Sequence, residues 1–158
     1  MSTTDARVAG FEHEMAMKFP GIKLLAEQND DADSVSTAVT FIEGDITGNP
    51  SLNGAFAANL VTAEGAASGI AHAHKTGLVK LATFDADPTQ MSMMSSGTIQ
   101  TTIAQEPALE GEDAVKEGLA AIEGKTVPKM IATPLIAITK TNMNSPSVKP
   151  YIYVSSCG

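Results

Sequence analysis

LVKLATFDADPTQMSMMSSGTIQTTIAQEP, residues 78–107, carries the reading of the fold. The apolar run from Leu78 to Phe84 predicts a buried strand that stops at an acid, Asp85. Asp87 before Pro88 predicts a helix N-terminus, with the carboxylate as cap and proline at the first helical position. Met91, Met93 and Met94 then read as a short helix that fills an irregular gap, because the thioether side chain adapts its shape. Residues 98–105, TIQTTIAQ, are β-rich and end at Gln105. Strand, helix and strand in this order build a parallel unit.

The same alternation extends in both directions. Residues 4–18 place Val8, Phe11 and Met15 on one helical face, with Thr4 or Asp5 as N-cap. Pro20 and Gly21 punctuate, and Ile22 to Ala26 reads as a buried strand. Asp33 caps a second helix with Val35, Val39, Ile42 and Ile46 on its face, ended by Gly48 and Pro50. NGAFAAN, residues 53–59, is a short strand. A third helix over 62–76 is lined by Ala66, Ala67, Ile70 and Ala71 and stops at Gly77. Beyond Gln105, a helix over 107–123 uses Val115, Leu119 and Ile122 and stops at Gly124. MIATPLIAIT, residues 130–139, is the last strand. The expected architecture is an α/β domain with a mostly parallel sheet covered by helices on both faces. Residues 1–140 form that unit, and 141–158 read as an irregular tail.

Composition narrows the function. The chain has 158 residues, long enough for one domain with a real core, and 43% of them are hydrophobic. Its net charge of −8 and ten scattered basic residues argue against nucleic acid, which needs clustered Lys and Arg. Cys157 is the single cysteine, so neither a disulfide framework nor a zinc cluster is encoded. The first residues lack the apolar core of a secretory signal, and the most apolar stretch is broken by Pro134. Taken literally, such a chain stays in the cytosol and does not embed in a membrane.

Catalytic motifs are absent: there is no phosphate loop, nucleophile elbow, C-x-x-C or H-E-x-x-H. His72 and His74 stand two apart on the expected helix and point to different faces, so no metal site is expected. Gly65 and Gly69 in GAASG let their helix pack close to the sheet. In open α/β sheets, ligands bind beyond the carboxyl ends of the strands. The residues leaving those ends are Gln28–Asp33, Asn59, Asp85 and Gln105. With Asp87 serving as the cap, Asp85 is left for a ligand. Arg7 opposes the dipole at its helix start, so either a polar ligand or an ion pair with Asp5 or another acid holds it there.

Five segments in order carry a family resemblance: ARVAGFEHEM, NPSLNGAFAANLVTAEGAASGIAHAHKTG, LVKLATFDADP, GTIQTTIAQEPALEGEDAVKEGLAAIEGKTVP and IATPLIAITKTN. Together they resemble the carboxyl-terminal lobe of type 1 periplasmic sugar-binding proteins, the ribose-binding-protein-like solute receptors of ABC importers. The resemblance implies flavodoxin-like lobes that close on one small polyhydroxy ligand, such as a monosaccharide, and present it to an ABC permease. It implies a periplasmic or envelope location, no cofactor and no enzymatic activity. Residue by residue, it implies that Arg7 donates to sugar hydroxyls, with Asn59 as the family asparagine. It makes Asp85 the bidentate acceptor and Gln105 the strand-end glutamine. A carboxylate, amides and a guanidinium suit vicinal hydroxyls, which both donate and accept.

The chain departs from that pattern in three places. Ala32 stands where an aromatic ring often stacks on the sugar, and Leu60 replaces the second residue of an Asn-Asp pair. The amino-terminal lobe and this lobe's first helix and strand are missing. In the order 2-1-3-4-5 the missing strand lies between IKLLAEQ and GAFAAN, which exposes two inner edges. The chain therefore reads as a fragment, a truncated reading frame or a partner that needs complementation. The runner-up is the effector domain of a sugar-responsive repressor, although TGLVKLATFD lacks the Pro-Asp insertion usual there. A small hydrolase using Asp85 is a third reading, and it lacks a partner base or metal.

Overall fold

In a computed structural model that describes residues 2–29 and 33–154, the 78–107 stretch folds as its sequence dictates. Strand β2 (Lys80–Phe84) leads through a short turn into α4 (Pro88–Ser96), and β3 (Ile99–Gln105) returns beside β2 in parallel. The Asp87 carboxylate accepts the Gln90 N–H at 2.7 Å, so the cap sits where proline and acid placed it. Met91 and Met94 are buried in the core, and Met93 packs against it. One irregularity interrupts the β2–β3 ladder after Leu81, and there the Gln100 side chain accepts the Leu81 N–H at 2.6 Å.

Four strands form the sheet, in the order β1-β2-β3-β4. Strand β1 (Gly54–Ala57) runs parallel to β2, and β4 (Leu135–Thr139) is antiparallel to β3. The sheet is thus mostly parallel, as expected, with an antiparallel edge. The final strand is shorter than residues 130–139, and Met130 and Ile131 are exposed. Helices α2 (Val35–Gly48) and α3 (Leu60–His72) pack against each other, α3 lies on β1 and β2, and α4 lies on β3. Helix α1 (Thr3–Lys18) covers the opposite face, where Phe11 stacks on Phe56 with ring centroids 4.8 Å apart. Alternation along β1 turns Phe56 away from Ala55 and Ala57, which places α1 and α3 on different sides.

Several expectations are corrected. Residues 22–26 form no strand: they have no sheet partner, the Ile22 N–H closes a turn onto the Phe19 carbonyl, and Ile22 is 54% exposed. A buried strand needs a neighbour on its edge, and β1 does not reach it. Ser34, not Asp33, caps α2 by accepting the Thr37 N–H. Ser2 caps α1 in a reciprocal capping box with Asp5. Gly65 and Gly69 face α2 rather than the sheet: a Cβ on Gly65 would stand 2.5 Å from the Ala38 Cβ. Only His72 lies in α3, which ends there, and His72 faces Glu43 of α2 at 3.3 Å. Helix α5 (Pro107–Ile122) forms but buries no residue, with Val115 72% and Ile122 85% exposed. Its apolar stripe therefore covers no part of this sheet. Ala32 and Cys157 lie outside the described residues.

After β4 the chain turns back across the sheet end. Residues Lys149–Tyr151 form one 3-10 turn, Val148 is buried, and the Tyr153 N–H donates to the Ala86 carbonyl at 2.9 Å.

Candidate functional site

Three parallel strands place their carboxyl ends side by side, and the four residues expected at a ligand site lie along that edge. Asp85 leaves β2 with φ +75°, a left-handed conformation that a short polar residue tolerates better than a branched one. Two bonds to β3 hold it there. Its N–H donates to the Ile103 carbonyl at 2.8 Å, and its carbonyl accepts the Thr102 hydroxyl. The backbone is thereby fixed, and the carboxylate is turned toward Gln105 and the tail.

On that carboxylate, Oδ1 accepts the Tyr153 hydroxyl at 2.7 Å, and the Gln105 Nε2 stands at 3.5 Å, the outer limit of a hydrogen bond. Arg7 reaches over from α1: its Nη1 donates to the Ala58 carbonyl at 2.9 Å, and its guanidinium lies 3.6 Å above the Phe84 ring. The ring and carbonyl explain why an arginine is held near a helix start, through a cation–π contact and a carbonyl acceptor. Among the described residues it forms no ion pair with Asp5.

Asn59 sits at the same edge in a different capacity. Helix α3 begins at Leu60, two residues earlier than its sequence pattern suggests, which makes Asn59 the N-cap. Its Oδ1 accepts the Thr62 N–H at 2.9 Å, and its Nδ2 donates to Asp33 at 3.0 Å. The amide is thus largely engaged within the chain. Arg7 touches the residues preceding Asn59 and Asp85, and Asp85 meets Gln105, so the four form one contiguous row.

Tyr153 and Phe84 were not among the expected site residues. The tail holds the only two tyrosines of the chain, a signal the sequence offers but does not place. Burial, followed by the hydrogen bond and charge of Asp85, pushes the Tyr153 phenol up to about 12. An acid whose folded pKa is raised lends full stability below its unfolded value near 10, and that stability is lost as pH rises through 12. We expect unfolding stability to fall between those limits, and Tyr153→Phe to flatten that slope. Phenolate absorbance recorded alongside denaturant titrations checks this; an unchanged slope in the variant would sink it.

Comparison with known proteins gives this edge a context. The sequence profile described as periplasmic binding protein domain matches residues 1–126. The D-allose-binding periplasmic protein of Escherichia coli (strain K12) is 33% identical over 116 residues, covering 73% of this chain and 37% of that protein. An ABC transporter solute-binding protein from Agrobacterium vitis, solved with alpha-D-tagatopyranose, superimposes with a TM-score of 0.93. It is 37% identical, over 98% of this chain and 51% of its own. A carbohydrate transporter solute-binding protein from Agrobacterium radiobacter, in complex with D-arabinose, gives 0.88 and 31%, over 94% and 50%. The chain spans about half the length of these solved relatives. It belongs to the periplasmic binding protein domain family, among relatives that are sugar-binding receptors of ABC transporters.

Proposed function

We propose that this chain supplies one wall of a monosaccharide site, with Asp85, Gln105, Arg7 and Asn59 facing the sugar, and that it binds rather than catalyses. The observation that carries this is the Asp85 carboxylate, fixed at a strand end and already accepting a hydroxyl at 2.7 Å beside an amide donor. A sugar hydroxyl presents the same chemistry as that phenol. Arg7 adds donors on a rigid aromatic platform, and Asn59 adds the remaining N–H of its amide while holding α3 in place. Tagatose, arabinose and allose in the relatives support the substrate class.

Residues 1–140 act in this reading as the incomplete carboxyl-terminal lobe, and 141–158 as a tail, of which Tyr153 lies over the binding edge. Within a two-lobed receptor, closure would bury the sugar, and the loaded receptor would meet an ABC permease in the periplasm. One wall alone binds weakly. Keeping half of the roughly 8 kcal/mol of a micromolar receptor leaves a dissociation constant on the order of millimolar. Titrating isotope-labelled chain with D-tagatose, D-arabinose and D-allose, read by amide chemical shifts, is the test. Saturable millimolar shifts at Asp85 and Gln105 are expected; no saturable shift there for any of the three would overturn the proposal.

A further inference from the structure

Gln90 of α4 is fully buried, yet its amide is only half used. Its Nε2 donates to the Phe84 carbonyl at 3.0 Å, while its Oε1 finds no partner among the described residues. Met91 and Met94, its neighbours in the same helix, are buried and apolar. A methionine at position 90 would fill a similar space without an unpaired oxygen, which is unfavourable in a dry interior. The one bond that offsets this penalty reaches the residue immediately before Asp85.

The Phe84 carbonyl needs that donor because the sheet ends beside it. Lys80 donates its N–H to the Asn53 carbonyl, so even-numbered residues of β2 turn their backbone groups toward β1. Continued to Phe84, the same register would offer its carbonyl the Asn59 N–H. That N–H goes instead to the Thr62 hydroxyl at 3.3 Å, where α3 begins. The Gln90 amide stands in for the lost strand. On the other side of the same peptide plane, the Asp85 N–H donates to the Ile103 carbonyl at 2.8 Å. A rigid plane held at both its C=O and its N–H resists rotation, and that rotation sets φ at Asp85. Asp85 lies at φ +75°, an unfavourable angle for a residue with a side chain. Released from one side, the plane can turn, and the carboxylate swings away from Gln105. The Phe84 ring, which carries the Arg7 guanidinium at 3.6 Å, belongs to the same clamped segment.

We propose that Gln90 is a positioning residue for the sugar edge, which clamps the Phe84–Asp85 peptide and so aims the Asp85 carboxylate without touching the ligand. Its service to the sugar rests on the function proposed above, whereas the clamp does not. Two variants of the full 158-residue chain separate these. Gln90→Met keeps the volume and removes the donor; Gln90→Glu keeps the shape and donates only while protonated. Without sugar, Tyr153 reports on Asp85: its phenol, raised to about 12 by burial and then by Asp85, should titrate lower in Gln90→Met. The Asp85 amide resonance should move, while those of α2 stay in place. Burial raises the glutamate carboxyl above its ordinary value. In Gln90→Glu the Asp85 resonance should therefore match the unaltered chain at pH 5 and depart from it at pH 8, a recovery that lost packing cannot give. On the unaltered chain, a Gln90 side-chain proton should exchange about tenfold more slowly than those of exposed Gln28. The D-tagatose affinity should fall about tenfold in Gln90→Met. An unmoved Tyr153 titration and Asp85 resonance in folded Gln90→Met overturn the proposal, as does free exchange of both Gln90 protons. Equal sugar affinity in the variant and the unaltered chain overturns it too. If those signals move but even the unaltered chain binds no sugar, the clamp stands and the proposed function fails.

Discussion

Gly65→Ala is expected to destabilise the chain by about 2 kcal/mol, although glycine to alanine inside a helix ordinarily stabilises. Two effects compete. Alanine is favoured over glycine by about 1 kcal/mol in a helix interior, because glycine loses more backbone freedom. Against this, a methyl group at position 65 would stand 2.5 Å from both the Ala38 Cβ and the Val35 carbonyl of α2. One of those atoms is backbone and cannot swing aside, so α2 and α3 must separate. Overpacking of that kind costs about 3 kcal/mol at its upper range, and it wins. Gly118 of α5 provides the contrast, since a methyl group there would meet no atom within 4 Å. Gly118→Ala should therefore raise stability by about 0.5–1 kcal/mol. Urea titrations of the two variants decide the matter; a neutral Gly65→Ala would mean that α2 does not dock on α3 at this distance.

Those glycines also show what the sequence could and could not say. Small residues at positions 65 and 69 announce a close approach, but not which neighbour approaches. Pattern alone assigns the sheet, and the structure gives α2. Where the determinants are local, pattern and structure agree: Asp87 and Pro88 set the start of α4, and the methionines fill the core beneath it. Residues 22–26 carry the composition of a strand yet form none, because strand formation depends on a neighbour. Asn59 shows the reverse case, a residue expected only to face a ligand that also opens a helix, because Leu60 and Val61 join the helix before Thr62. The tail was the least legible part. Tyr153 meets Asp85 across 68 positions, and no periodicity or spacing encodes a contact that distant.

That contact sets the second large effect, on sugar binding rather than stability. In this chain the acceptor expected to hold a sugar hydroxyl is occupied by the Tyr153 phenol. A monosaccharide that takes both carboxylate oxygens, as a bidentate acceptor implies, must displace it, and a hydrogen bond to a charged group is worth about 1.5–3 kcal/mol. Partial exposure to solvent favours the lower value, so Tyr153→Phe should tighten binding about tenfold. Asp85→Asn is expected to act in the opposite direction. Asparagine accepts the left-handed backbone at this position, so the turn should persist, with Thr102 still bonded to its carbonyl. What is lost is the carboxylate charge, and with it about tenfold or more in affinity. Calorimetry or shift titration with D-tagatose on both variants separates the possible roles of the tyrosine. If Tyr153→Phe weakens binding while Asp85→Asn abolishes it, the phenol is a contact to the sugar and not its competitor. If neither variant changes an affinity that the unaltered chain shows, the sugar sits elsewhere, because removing the carboxylate charge cannot leave a bond to that carboxylate intact.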